Sequence, residues 1–158
     1  MVGLDGGVAL NFGEKERKCL KALIDHGVRF LLVGGYAVRF HGRLRATKDV
    51  DVLVSNDCAN AGRLCSALTS LIGPHPNLQP EKIEGRKGQI NLTSYSYEFE
   101  ILTAADGVPF DEAYDRRCEA SYLNLLVPVI SKDDLVAMKA AAGRPQDMDD
   151  VEKLLELV

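Results

Sequence analysis

Two aspartates in "KDVDVLV" (48–54), Asp49 and Asp51, are the residues of this chain best placed by type and spacing to do chemistry. They stand in a run that otherwise alternates like a half-buried strand. Side chains at i and i+2 of a strand point to the same face, so the two carboxylates share one face while Val50 and Val52 turn to the core. Carboxylates this close raise each other's pKa unless a cation lies between them. A strand with a wet outer face would also tolerate them, but the flanking "TK" and "LV" do not continue the polar alternation. A further acidic run, "YEFEIL" (97–102), repeats the pattern with Glu98 and Glu100. Carboxylates gathered from adjacent strands make a hard oxygen site suited to Mg²⁺. Such a site can hold two ions about 3.5–4 Å apart that clamp the attacking and leaving oxygens of phosphoryl transfer.

The second feature is Gly34-Gly35, which follows the apolar run "VRFLLV" (28–33). Glycine lets backbone N–H groups come close to a phosphate, and a helix N-terminus favours an anion. A tight strand-to-helix turn would use the same residues with no ligand. Gly-Gly at the end of one strand and Asp-x-Asp on the next make a stronger pattern than either does alone.

These residues need a scaffold, and the apolar periodicity outlines one. A helix is expected over 14–26, with Cys19, Leu20, Leu23 and Ile24 on one face and Gly27 as its stop. A central strand over 28–33 leads to a short helix over 35–42 closed by Gly42, and then to the acidic strand 49–54. Ser55, Asn56 or Asp57 caps a helix reaching residue 72. A proline-containing loop follows (73–87), then a hairpin of "GQINLTS" and "YEFEILT" around Tyr95 and Ser96. A helix is expected over 109–118 and a last short strand within "LNLLVPVI" (123–130). Ser131 caps a helix that Gly143 ends, and Pro145 starts another that runs to the C-terminus. Residues 1–12 are Gly-rich and expected to be loose. The chain is therefore read as one domain over 1–158 of α/β (α+β) class. It has a small mixed β-sheet flanked by helices, with a C-terminal helix pair (131–158) packed on the same domain.

Composition narrows the function classes. The chain has 158 residues, 46% of them hydrophobic, which suits one domain with a real core. A net charge of −4 recommends no duplex DNA surface, though it leaves room for a local basic patch. No apolar run approaches the roughly 18 residues of a membrane span, and the N-terminus lacks the pattern of a signal peptide. Cys58 and Cys65, on one helix, would lie roughly 10 Å apart, too far for a disulfide. With Cys19 and Cys118 they show no zinc spacing and read as reduced thiols of a cytoplasmic protein.

"GGYAVRFHGRLRATKDVDVLV" (34–54) resembles the signature of the polymerase-beta-like nucleotidyltransferase superfamily: Gly-Gly or Gly-Ser, a short helix, then Asp-x-Asp on the next strand. Its GGxA, HG, Arg, Thr and paired Asp are closer still to small bacterial members related to abortive-infection (AbiEii-like) nucleotidyltransferase toxins. "DLVAMKAAAGRPQDMDDVEKLLEL" (134–157) resembles their second signature, a helical Lys followed by Arg-x-x-Asp-x-x-Asp. The likeness covers 28–54 and 131–157, and is weaker between, where "FEILT" stands in place of the third carboxylate strand.

The resemblance implies a minimal nucleotidyltransferase fold that moves a nucleotidyl group from an NTP to a hydroxyl, with Mg²⁺ or Mn²⁺. By position, Asp49 and Asp51 would ligate the metals. Glu100 would complete the triad and help activate the acceptor; the family often has Asp there, and Glu98 remains the alternative. Gly34 and Gly35 would cradle phosphates, and Thr47 and Lys48 would touch phosphate or brace the strand. Arg43 and Arg45 are candidate triphosphate clamps, since guanidinium matches phosphate oxygens bidentately; a solvated loop is the plainer alternative. Lys139 would face the nucleotide rather than snorkel to solvent. Asp147 and Asp150 share a helix face, and a pairing of Asp147 with Arg144 or Lys139 is preferred to a second metal site. His41 is read as a cap or packing residue, and Tyr95 and Tyr97 as strand packing. The acceptor would be RNA such as tRNA, a protein, or a small molecule such as an aminoglycoside. A homodimer or partner protein would complete the site, with no membrane involved and a toxin–antitoxin or phage-defence setting. The rival reading is a catalytically inactive nucleotidyltransferase-fold protein with a binding or antitoxin-like role.

Overall fold

A computed structural model describes residues 4, 5 and 7–157. Its strands are β1 (Leu4–Asp5), β2 (Phe30–Val33), β3 (Val50–Val54), β4 (Gln89–Asn91), β5 (Phe99–Leu102), β6 (Cys118–Tyr122) and β7 (Leu125–Val129). Its helices are α1 (Gly7–Leu10), α2 (Glu14–Asp25), α3 (Gly34–Phe40), α4 (Cys58–Ile72), α5 (Phe110–Asp115), α6 (Lys132–Ala142) and α7 (Pro145–Glu156). The strands form one mixed sheet in the order β1-β6-β7-β2-β3-β5-β4. This is the mixed α/β (α+β) architecture expected from the sequence.

The centre of the sheet explains the apolar runs. β2 is buried at every residue, so both of its faces are covered. It pairs antiparallel with β3 and parallel with β7. β3 in turn pairs parallel with β5. A continuous core runs from Leu10 to Leu154, with Phe30 and Phe99 among its largest fully buried side chains. α2 packs on α4 and α6 on α7, while α3 touches both the central strands and α6. Thus α3 brings the C-terminal helix pair up to the acidic strands. Among the described residues, no helix is long and apolar enough to cross a membrane.

The helix ends follow local chemistry. Of the three possible caps for α4, Asp57 is the one used: its carboxylate accepts from the Asn60 N–H at 2.8 Å. Ser131 caps α6 by accepting from the Asp134 N–H. α7 opens on Pro145, and the Asp147 carboxylate caps it by accepting from the Arg144 backbone N–H at 3.3 Å.

Two expectations are corrected. The loose segment 1–12 falls partly outside the described residues, and within them it is not loose. β1 pairs with β6, Leu10 and Phe12 are buried, and the Phe12 ring sits 4.9 Å from Tyr36 and 5.0 Å from Tyr122. Apolar anchoring outweighs the glycine content there. Secondly, the helix expected over 109–118 stops at Asp115, and residues 118–122 form β6 instead. Ala120 and Tyr122 alternate into the core, which a helix would not allow. The β6–β7 turn runs through Leu123 at φ +53, where Asn or Gly would have announced a hairpin. The expected hairpin is present: β4 pairs antiparallel with β5, and a 3₁₀ turn (Thr93–Tyr95) followed by Ser96 at φ +68 joins them.

Candidate functional site

Register brings the acidic side chains together. Asp51 of β3 lies opposite Glu100 of β5 and opposite Val33, the last residue of β2. Asp49 immediately precedes β3. Asp49, Asp51 and Glu100 line one cleft of about 520 Å³, together with Gly34, Gly35, Arg45, Thr47, Lys48 and Lys139. Glu98 does not line it. Its carboxylate lies 3.6 Å from the Lys48 ammonium, and its N–H donates to Glu16. Register sets Glu100 directly across from Asp51, so Glu100 is the one beside it.

Asp51 is a half-buried carboxylate without a partner: among the described residues no hydrogen bond or ion pair reaches it. Burial, then the neighbouring Glu100 and Asp49 charges, push its pKa up to about 7, against the pull of Lys139 and Arg144. Glu100 is raised too, by burial and by Asp49, with Arg144 opposing. The Gln89 side-chain amide donates to the Glu100 carboxylate.

The glycine pair has a steric reason. Gly34 has φ +66, and a Cβ there would come within 2.9 Å of the Asp51 Cβ and Cγ. At Gly35 a Cβ would lie 2.7 Å from the Thr47 Cβ and 3.0 Å from Arg45 Nη2. Both glycines let the turn close over the side chains that line the cleft.

The opposite charge comes from α6 and α7. Lys139 is buried, its Nζ 3.0 Å from Asp150 Oδ2 and 3.4 Å from Asp147 Oδ1. Arg144 donates to Asp147 at 2.6 Å. Burial would raise the Asp147 pKa, but the Arg144 hydrogen bond and Lys139 outweigh it and hold the carboxyl below the usual range. The pairing of Asp147 with Arg144 and Lys139 is therefore present. Arg45 reaches Asp150 at 3.6 Å. Arg43, the other candidate clamp, does not line the cleft; it donates to Asp150 and Asp149, each at 2.7 Å.

The remaining candidates sort by position. Lys48 stands at the rim, its side chain 79% exposed. The Thr47 hydroxyl makes only a long 3.5 Å contact to the Asp49 carbonyl. The His41 ring bonds the Ile130 carbonyl at 2.7 Å, and burial lowers its pKa, as suits a packing residue. Tyr95 is exposed and Tyr97 lies under Lys15, both away from the cleft. Sequence reasoning did not find Gln89, Gln146 or the apolar wall of Leu102, Leu135, Met138 and Ala142. None carries a local motif. Gln89 reaches Glu100 only because β4 pairs with β5.

Among the described residues, no three His, Cys, Asp or Glu side chains stand close enough to form a ready-made metal shell. The donor chemistry still suits a hard cation. The oxygens are carboxylates, one of them half-buried and unpartnered, and their mutual repulsion is what a cation would relieve.

Residues 17–155 match a family described as "nucleotidyltransferase of unknown function" (DUF6036). That match spans most of the chain, including both walls of the cleft, and the chain belongs to this family. A search of curated proteins finds no match.

Proposed function

We propose that this member of the nucleotidyltransferase family is an enzyme that moves a nucleotidyl group from an NTP to a hydroxyl acceptor. One observation carries the reading. An unpartnered, half-buried carboxylate, Asp51, lies beside Glu100 beneath Gly34, in a cleft whose other wall presents Lys139, Arg45 and Arg144. A carboxylate-rich wall facing a cationic wall fits a triphosphate with its divalent cation.

Asp51 and Glu100, with Asp49 at their side, would hold Mg²⁺ or Mn²⁺, which supplies charge neutralisation for in-line displacement at the α-phosphorus. Asp51, with a pKa of about 7, is partly protonated near neutrality and ionises when positive charge arrives. The acceptor oxygen bonds to the α-phosphorus as the bond to the bridging oxygen of the β-phosphate breaks, and pyrophosphate leaves. Glu100, oriented by Gln89, accepts the hydroxyl proton. Lys139 and Arg45 offset the charge that grows on the departing pyrophosphate. Leu102, Met138 and Ala142 offer the nucleoside an apolar wall.

The acceptor is RNA such as tRNA, a protein or a small molecule. The resemblance to abortive-infection toxins favours a toxin–antitoxin or phage-defence setting. A second reading, NTP binding without turnover, is favoured by Glu100 standing where relatives of that signature often carry Asp. Incubation with α- or γ-labelled NTPs, Mg²⁺ and a cell extract tests both. Transfer of the α label alone, lost in Asp51→Asn, is expected of the enzyme. Absence of any labelling, with NTP still bound, favours the second reading. Transfer of the γ label contradicts both.

A further inference from the structure

We infer that Asp150 is a positioning residue that displays Lys139 and Arg45 to the cleft with their hydrogen-bond donors unspent. The inference rests on the reading that the cleft takes a triphosphate. Asp150 is fully buried on α7 and does not itself line the cleft. A buried carboxylate is costly unless paired, and this one draws cations from two further segments. Arg43 and Arg45 come from the loop after α3, and Lys139 from α6.

The two carboxylate oxygens are used differently. Oδ1 accepts a 2.7 Å hydrogen bond from Arg43, which also grips Asp149 at 2.7 Å and stays out of the cleft. Oδ2 sits 3.0 Å from Lys139 Nζ and 3.6 Å from Arg45 Nη1 without an aligned hydrogen bond to either. Among the described residues, the one hydrogen bond of the Lys139 ammonium is long, 3.4 Å to Asp147, and the buried Arg45 Nε has no acceptor. The anchor therefore spends its donors on the carboxylate. The two cleft cations take charge compensation from it and keep donors for another acceptor. A purely structural staple would be expected to use aligned bonds throughout, as Arg43 does. Unsatisfied donors in a buried place point to a ligand that satisfies them.

A double-mutant cycle over Asp150→Asn, Lys139→Met and the pair tests this, read as the dissociation constant for an NTP with Mg²⁺ at low salt, alongside melting temperature. Asp150→Asn is expected to stay folded and to weaken NTP binding about tenfold, the cost of a misplaced charge-assisted contact. The double variant is expected to bind about as weakly as the worse single one, because Asp150 acts through Lys139. Multiplying effects, or a folded Asp150→Asn that binds like the wild type, overturns the claim. Should Asp150→Asn fail to fold, Asp150→Glu keeps the charge one methylene away and is expected to bind weakly while melting near the wild type. Failure of both to fold makes Asp150 a structural staple and overturns positioning. If the wild type binds no NTP, the triphosphate reading fails, and positioning is read from the ¹⁵Nζ resonance of Lys139. That resonance is expected to shift or vanish in Asp150→Asn; an unchanged resonance overturns the claim.

Discussion

Two groups of carboxylates, one lining the cleft from the sheet and one on α7 behind its cationic wall, are treated in opposite ways. On the sheet, Asp51 and Glu100 sit side by side with no cation in contact, and burial with mutual repulsion raises both. On α7, Asp147 and Asp150 are buried more deeply, yet each is held by Lys or Arg, and Asp147 is lowered. Depth of burial does not explain the contrast; cation supply does. The helix group carries its own compensation and needs nothing from outside. The sheet group is left without a compensating cation, which is why the proposed function assigns the divalent ion to it.

That contrast sets the expected effects of substitution. Asp51→Asn should cost on the order of 10³-fold in turnover, about 4 kcal/mol of transition-state stabilisation, as read in a label-transfer assay. The same variant in metal-free buffer should melt level with the wild type or higher, since a like charge is gone. A clear drop in melting temperature would make Asp51 a structural residue and erase the contrast. Asp150→Ala should behave in the reverse way, losing about 3 kcal/mol of stability because three cations lose a buried partner; denaturant unfolding reads it. Gly34→Ala should cost about 2 kcal/mol, from the φ of +66 and the collision with Asp51.

The pH dependence separates the groups by sign. Asp51 titrates near 7 when folded and near 4 when unfolded. Between those values the folded state binds more protons, so the stability of the metal-free protein falls as pH rises from about 4 to about 7, and then levels. Asp147, lowered in the fold, contributes stability that is present above about 4 and is lost as pH falls through its folded value. Asp51→Asn should flatten the first slope and leave the second. The smallest effect is expected at Lys48→Ala. An exposed rim charge should change stability by less than about 0.5 kcal/mol, which a thermal melt beside the exposed control Lys18→Ala would check. Lys132 would be a poor control, since its ammonium donates to the Leu157 carbonyl.

Much of this was legible wherever the signal is local. Period-two spacing brought Asp49, just before β3, and Asp51, on it, to one cleft, and Gly34-Gly35 marked the turn that closes over Asp51. The cap at Ser131 and the stop at Gly143 bounded the helix carrying Lys139. What stayed hidden depends on pairing between distant segments. Glu98 and Glu100 were equivalent in sequence until β5 paired with β3. Arg43 and Arg45 alternate in one loop, and only the packing of α7 sends the first to Asp149 and Asp150 and leaves the second in the cleft. β6 escaped because its turn uses Leu123 where a hairpin usually advertises Gly or Asn.

The central claim, that the sheet carboxylates receive a cation together with an NTP, is tested most directly by calorimetry. A non-hydrolysable NTP is titrated into wild-type protein and Asp51→Asn, each with Mg²⁺ and with chelator. The account predicts one binding event in the wild type with Mg²⁺, at least tenfold weaker with chelator, and no gain from Mg²⁺ in Asp51→Asn. Equal affinity in all four titrations, or no binding by the wild type with Mg²⁺, would contradict it.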